Sequence, residues 1–266
     1  MTPLVTAALV AVALWWLGTG VVLHLQQRLL AGADGARVGP AVALGVAAGG
    51  ALAALATLAA AARDGTAASV AGFAAAIALW GALELSHYLG LVTGTHERRC
   101  PRDARGWRRF RLALGTSLWH ELSVLGVGLA LVALLHGASN PVGLHTYLVL
   151  WLMRWSAKLN LFLGVPNFST EWFPARLSHL ESYVRRAPVS ALFPVSLTLA
   201  GVAIVLLART AIGADDARAL VHALPAALLA LAVLEHLLMA LPVTETRLWN
   251  RVFGLRRASL PLTDER

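Results

Sequence analysis

AASVAGFAAAIALWGALELSHYLGLV, residues 67–92, is the stretch that decides the fold. It carries one formally charged side chain, Glu84, and one histidine, His87, both late in the run. A membrane-spanning helix needs about 20 predominantly apolar residues, so this run is long enough to cross a bilayer. Six more runs of the same kind lie around it, at 4–28, 41–62, 111–136, 143–164, 190–210 and 219–241. Gly and Pro punctuate the gaps, at Gly32 to Pro40, Gly65, Gly137 to Pro141 and Gly213. The fold class is all-α: a polytopic helical membrane bundle of about seven transmembrane helices, read as one transmembrane domain over residues 1–266. The opening Met1-Thr2-Pro3 lacks the basic region of a signal peptide, so the first run is read as a retained helix.

Composition agrees. The chain is 58% hydrophobic and 14% charged, where a soluble domain carries about 25% charged residues. Mean hydropathy is +0.68. A net charge of +8 would suit nucleic acid, but the arginines sit in short loops between apolar runs. There they act as topology signals and attract anionic headgroups, so the bilayer, not nucleic acid, is the partner. Cys100 is the single cysteine, which excludes an intrachain disulfide and a cysteine zinc cluster.

The loops are asymmetric. One side receives Arg28, Arg37, Arg98, Arg99, Arg102, Arg105, Arg108, Arg109, Arg176, Arg185, Arg186 and the tail arginines 247, 251, 256 and 257. The other receives Arg63, Arg209 and Arg218, with Asp64, Asp215 and Asp216 nearby. The positive-inside rule makes the first side cytoplasmic, with the N-terminus periplasmic and the C-terminus cytoplasmic. Between runs five and six, Asn167, Ser169 and Thr170 offer capping oxygens and Pro174 suits a first helical turn. Leu177, Leu180 and Val184 then share a face, with Trp172 and Phe173 as anchors, which predicts a short interfacial amphipathic helix over 174–186. Arg98, Arg99, Arg102, Arg105, Arg108, Arg109, Trp172, Arg185 and Arg186 are the candidate cytoplasmic docking residues.

The ionisable residues inside the runs fall toward the same side. With about 1.5 Å rise per residue, Glu84, His87, His120, Glu121, Lys158, His236 and His24 lie roughly 6–15 Å in from that side. Arg154, Asn160 and Glu235 belong to the same set. A charge at the bilayer centre costs roughly 2.5–3.5 kcal/mol, so these groups are expected to meet in one polar cluster. Glu84, Glu121 and Glu235 are the anionic partners for Arg154 and Lys158, which share a helix face at i, i+4. Glu84 and His87 form an E-x-x-H pair, the iron-binding spacing of di-iron bundles. Glu84, His87 and His120 are therefore metal candidates, though the full pattern needs a second such motif and two more carboxylates. A histidine in an apolar pocket can also ligate the magnesium of bacteriochlorophyll or another tetrapyrrole, and His24, His87, His120 and His236 are placed for it. The retinal-binding lysine of seven-helix pigments belongs on the last helix, and Lys158 is on the fifth. His136, His145 and His222 lie near the other side and are read as structural.

The run Arg154-Trp-Ser-Ala-Lys-Leu-Asn-Leu-Phe-Leu-Gly-Val-Pro-Asn167 continues through Glu171-Trp-Phe-Pro174, Leu180-Glu-Ser-Tyr183 and Phe193-Pro-Val-Ser196. It resembles the PuhE-type family of photosynthetic complex assembly proteins from purple bacteria. Cys100-Pro101, Arg105-Gly-Trp-Arg-Arg-Phe-Arg111, His120-Glu-Leu122, Asn140-Pro-Val-Gly143 and Leu234-Glu-His236 extend the resemblance over most of residues 80–245. Departures fall at Thr170, where the family pattern has a second acidic residue, and over Ser178 to Val184. The resemblance implies a bacterial inner, intracytoplasmic, membrane and a gene neighbourhood with the reaction-centre H subunit. It further implies photosynthetic complex subunits or pigment-synthesis proteins as partners. The function expected is assembly of the reaction centre and light-harvesting complex, or control of bacteriochlorophyll supply. It carries no catalytic residues over. A tetrapyrrole-related membrane metalloenzyme using the Glu/His cluster is the second reading, and a transporter or sensor the third.

Overall fold

The structure, a computed structural model, describes residues 2–30, 39–168 and 174–241. Its helices are α1 (Pro3–Leu30), α2 (Pro40–Ala61), α3 (Thr66–Tyr88), α4 (Gly106–Gly115), α5 (Leu118–Leu135), α6 (Val142–Leu163), a 3-10 helix (Ala175–Tyr183), α7 (Leu192–Ile212) and α8 (Asp216–Ala240). Six of them, α1, α2, α3, α5, α7 and α8, are long and apolar enough to cross a membrane. The protein is a multi-pass helical membrane bundle. The run expected as the fifth span, α6, has 22 residues but carries Arg154, Lys158 and Asn160 and falls outside that apolar set. It lies among α3, α5 and α8 instead of on the rim. Exposed leucines such as Leu9, Leu44, Leu52, Leu134, Leu199 and Leu206 form the outer apolar surface, too extensive for a water-facing monomer.

Helix α3 is the hub. It packs on α1, α2, α5, α6 and α8, while α7 leans on α8. Small residues set the spacing. An added Cβ at Gly72 would stand 3.0 Å from Val142, and one at Gly143 would stand 3.2 Å from the Gly72 carbonyl and strike the Thr57 methyl. Tyr147 of α6 is fully buried there, edge-on to Trp80 with ring centroids 5.5 Å apart, and its hydroxyl donates to the Val124 carbonyl of α5 at 2.8 Å. The pair fills the core while leaving no buried hydroxyl unmet.

Helix ends are closed from the sequence. Leu91 N–H bonds the Ser86 carbonyl and Gly90 N–H the His87 carbonyl, with Gly90 at φ +68°. This is the Schellman arrangement, for which glycine is suited because it bears no Cβ. It ends α3 at Tyr88, four residues before the apolar run ends. Asn140 closes α2, its backbone donating to Ala61 O and its side chain to Arg63 O. Asp215 caps α8 by accepting from Arg218 N–H. Pro225, inside α8, cannot donate to the Val221 carbonyl.

Two expectations are corrected. The run 111–136 is not one helix. It breaks at Thr116-Ser117 into α4 and α5. The Gly115 carbonyl, which a continuous helix would give to residue 119, accepts from Thr95 N–H and His96 N–H instead. Thr116 further closes the turn by donating its hydroxyl to Ala113 O. The interfacial segment expected over 174–186 is a 3-10 helix that ends at Tyr183, with Pro174 rather than a polar side chain at its N-cap. Leu177 and Tyr183 are buried against the protein. Asn167, read as a capping residue for it, closes α8, donating its side chain to the carbonyls of Leu238 and Leu241. Trp172, Phe173, Ser169, Thr170, Glu171, Arg37 and the tail arginines lie outside the described residues.

Replacing Gly143 by Leu is expected to cost about 1–3 kcal/mol through overpacking, read as a lower melting temperature of the purified protein in detergent. An unchanged melting temperature would show that the α3–α6 approach is not tight.

Candidate functional site

Four charged side chains meet between α3, α5 and α6. The Arg154 Nε lies 2.5 Å from Glu84 Oε1, and its Nη1 lies 2.7 Å from Glu121 Oε1. Lys158, one turn along α6, pairs with the same Glu121 oxygen and donates to Ser117 Oγ at 2.9 Å. The i, i+4 spacing on α6 puts both cations on one face, and α3 and α5 each present a carboxylate to it. Two acids and two bases leave the set neutral. Glu121 is 6% exposed, Glu84 12% and Arg154 16%, while Lys158 is 35% exposed and forms the open edge of the set. Buried ions survive only when paired and hydrogen-bonded, and here each has an opposite neighbour.

A histidine pair sits behind the acids. His120 is fully buried, its Nε2 3.6 Å from Glu84 Oε1. Its ring centroid is 4.6 Å from that of His87. His87 Nδ1 lies 3.1 Å from the Val92 carbonyl, so that nitrogen carries the proton. Helix α5 is positioned here by backbone: His120 N–H donates to the Thr93 carbonyl.

On the other side of Arg154 a cavity of about 490 Å³ opens between α1, α3, α6 and α8. Trp15, Trp80 and Tyr88 give it aromatic walls. Glu84 and Arg154 close one side, and Glu235 and His236 the other. Trp15 Nε1 donates to Glu235 Oε1 at 2.7 Å. His236 is held at both ring nitrogens: Nδ1 lies 2.8 Å from the Ala232 carbonyl and Nε2 lies 2.9 Å from Ser156 Oγ. The carbonyl can only accept, so Nδ1 is the protonated nitrogen and Nε2 accepts from the serine.

The residues singled out in the sequence therefore divide. Glu84, Glu121, Arg154 and Lys158 form the ion-paired set, and His87 and His120 stack against it. Glu235 and His236 face it across the cavity, and Glu235 accepts from Trp15 rather than from Arg154 or Lys158. Asn160 stands apart: fully buried, it donates to Ser156 O and to Ser196 Oγ, tying α6 to α7. His24 is exposed on the outer face of α1 and is not part of the cluster. Among the described residues no group of three His, Cys, Asp or Glu side chains is arranged to hold a metal ion. Trp15, Ser117, Ser156 and Tyr88 escaped the sequence reading. Ser156 lies inside the Arg154–Asn167 run, but nothing in its type marks it as the partner of a histidine 80 residues away.

The docking arginines divide as well. Arg98, Arg99, Arg102, Arg105, Arg108, Arg185 and Arg186 are exposed. Arg109 turns inward. It donates to Phe162 O at 3.0 Å and Tyr183 O at 2.6 Å, and its guanidinium lies 4.2 Å over the Phe162 ring. Together with Arg176 donating to Leu89 O and Cys100 N–H donating to Ser182 Oγ, it straps the 89–105 loop, α4 and the 3-10 helix into one cap. His179 is buried in that cap, and burial lowers its affinity for a proton below the ordinary imidazole range.

Replacing Arg154 by Met leaves Glu84 without a cation and Glu121 with only Lys158. A loss of about 3–5 kcal/mol is expected for breaking so buried a pair, measured as lower accumulation and melting temperature. Lys158→Met should cost less, because Lys158 is partly exposed and Glu121 keeps Arg154. The reverse order would place the structural cation at Lys158.

Comparison with known proteins gives two matches and one blank. Residues 1–259 match the family described as protein of unknown function DUF3623. A protein of Rhodobacter capsulatus, named "Uncharacterized 30.4 kDa protein in puhA 5'region", is 36% identical over 248 residues, covering 91% of this chain and 88% of that one. No solved structure matches. With nearly the whole length matched, the chain belongs to the DUF3623 family.

Proposed function

We propose that the protein is a membrane assembly factor for the photosynthetic reaction centre and light-harvesting complex, acting through partner helices and through a pigment held in the α1–α3–α6–α8 cavity. The observation that carries this reading is the cavity itself: about 490 Å³, walled by Trp15, Trp80 and Tyr88, and backed by charges that neutralise one another. A closed set of ion pairs makes a rigid polar wall, whereas catalysis needs a group left poised for proton transfer or attack. The name of the Rhodobacter capsulatus relative, which sets it in the puhA 5' region, and the resemblance over residues 154–196 support the photosynthetic setting.

A chlorophyll-type ring fits the donor set, which offers flat aromatic walls and one neutral imidazole. Of the four histidines considered, only His236 lines the cavity. Its Nε2 would hold the ring's magnesium in place of the Ser156 hydroxyl from which it accepts, and the Ala232 carbonyl fixes the tautomer that puts the lone pair on Nε2. The bound pigment would supply light absorption and a rigid surface for partner helices. The enzyme reading has one foothold, the Glu84–His120–His87 chain.

The two readings part in pigment analysis of a deletion strain beside a His87→Ala/His120→Ala strain. Reduced pigment–protein complexes with normal pigment chemistry are expected on deletion. A single blocked precursor in both strains would establish the enzyme. Protein purified from the wild-type strain in mild detergent should carry a tetrapyrrole absorption band that His236→Ala removes. A band unaffected by that substitution would take the pigment out of this cavity.

We further propose that α6 is the seventh crossing, with the arginine-rich cap cytoplasmic and residue 2 periplasmic, in the bacterial inner membrane. In a Cys100→Ala background, Thr2→Cys should react with an impermeant thiol reagent from the periplasm and Arg99→Cys should not. Labelling of both from one side would refute this topology.

A further inference from the structure

Loop 94–96 is strapped across the end of α4. The amides of Thr95 and His96 donate to the Gly115 carbonyl at 2.8 and 3.1 Å. Gly94 allows the approach, since a side chain there would run into the backbone of Gly115 to Ser117. Between strap and helix lies a depression lined by Thr95, His96, Arg108, Arg111, Leu112 and Gly115. Arg108 and Arg111 are three apart on α4, so both sit on the face that borders it. Asp103 holds Arg108 at 2.6 Å. Arg111 is exposed and makes no ion pair among the described residues.

The rest of α4 sets the depth. On its apolar side Phe110 meets Phe162 of α6 edge-on, with centroids 5.7 Å apart. Trp107, stacked on Phe110, is 68% exposed, as suits a side chain at the boundary between hydrocarbon and headgroups. The apolar span α5 begins at Leu118, three residues past Gly115. The depression therefore lies at the level where a bilayer would present its headgroups.

We propose that this depression is a binding site for the phosphate diester of an anionic lipid, with Arg108 and Arg111 gripping the phosphate oxygens. The guanidinium fork matches phosphate geometry, which a diffuse positive surface does not require. Asp103 pre-sets Arg108 and leaves Arg111 to supply the uncompensated charge. Trp107 places its ring beside the acyl-chain boundary of the same lipid. The site is separate from the pigment cavity and does not depend on it.

The test uses full-length protein in neutral detergent, with its melting temperature followed as phosphatidylglycerol, phosphatidylcholine or inorganic phosphate is added. Phosphatidylglycerol should raise it saturably, and the other two should not. Arg108→Gln/Arg111→Gln should weaken the response to phosphatidylglycerol at least tenfold while leaving the lipid-free melting temperature unchanged. Arg98→Gln/Arg99→Gln removes the same charge from the neighbouring exposed loop and should leave the response intact. If the double variant fails to fold, Arg111→Gln alone gives the comparison, because its side chain pairs with nothing among the described residues. Equal losses in the two double variants would reduce the site to general charge attraction and overturn the proposal. So would an equal shift with inorganic phosphate, which would assign the site to a free anion, or no shift with phosphatidylglycerol.

Discussion

Two carboxylates and two cations cannot stay inside an apolar bundle unless they meet, and this constraint organises the molecule. Glu84, Glu121, Arg154 and Lys158 come from α3, α5 and α6, so satisfying them fixes the rotation of three helices at once. Arg154 is central because a guanidinium can serve two acids in one plane. The tight glycine contacts at Gly72 and Gly143 hold α3 and α6 together further along, so geometry at one level supports the ion pairs at another. The cavity is a by-product of the same arrangement: Arg154 backs it, and Trp15 and His236 face it from helices with no share in the charge network.

The cap at the arginine-rich end shows basic residues in two roles. Arg109 and Arg176 direct their charge at backbone carbonyls left open at chain turns and helix ends, Arg109 holding α4 to α6 and the 3-10 helix, and Arg176 holding the 3-10 helix to Leu89 at the end of α3. Their neighbours Arg98, Arg99 and Arg111 point outward. Charge counting treats these residues alike. Only packing separates a structural arginine from one available to a partner.

Helix bounds were legible where apolar runs met clear stop signals. The gap signals at Gly32 to Pro40, Gly65 and Gly213 are followed within a few residues by the starts of α2, α3 and α8. The break at Thr116-Ser117 was not legible, since it depends on a loop 20 residues earlier taking the Gly115 carbonyl. Depth along each helix could be read from rise per residue, and it singled out the ionisable groups that share one end of the bundle. Direction around the axis could not. His24 and His236 sit at similar depth, yet one faces outward and the other lines the cavity. The neutral partners Trp15, Ser117 and Ser156 carry no charge signature, so only three-dimensional proximity reveals them.

The order of the four charges along the chain bears on how the protein is made. Glu84 and Glu121 are synthesised before Arg154 and Lys158. A lone protonatable acid can enter a bilayer neutral, but arginine keeps its charge. Helix α6 would pay roughly 2.5–3.5 kcal/mol for each cation if it partitioned alone. In the proposed topology the acids of α3 and α5 precede α6 along the chain, so they would offer its cations partners as it enters. With that topology, the order acids first and bases second would make insertion of α6 depend on helices made before it.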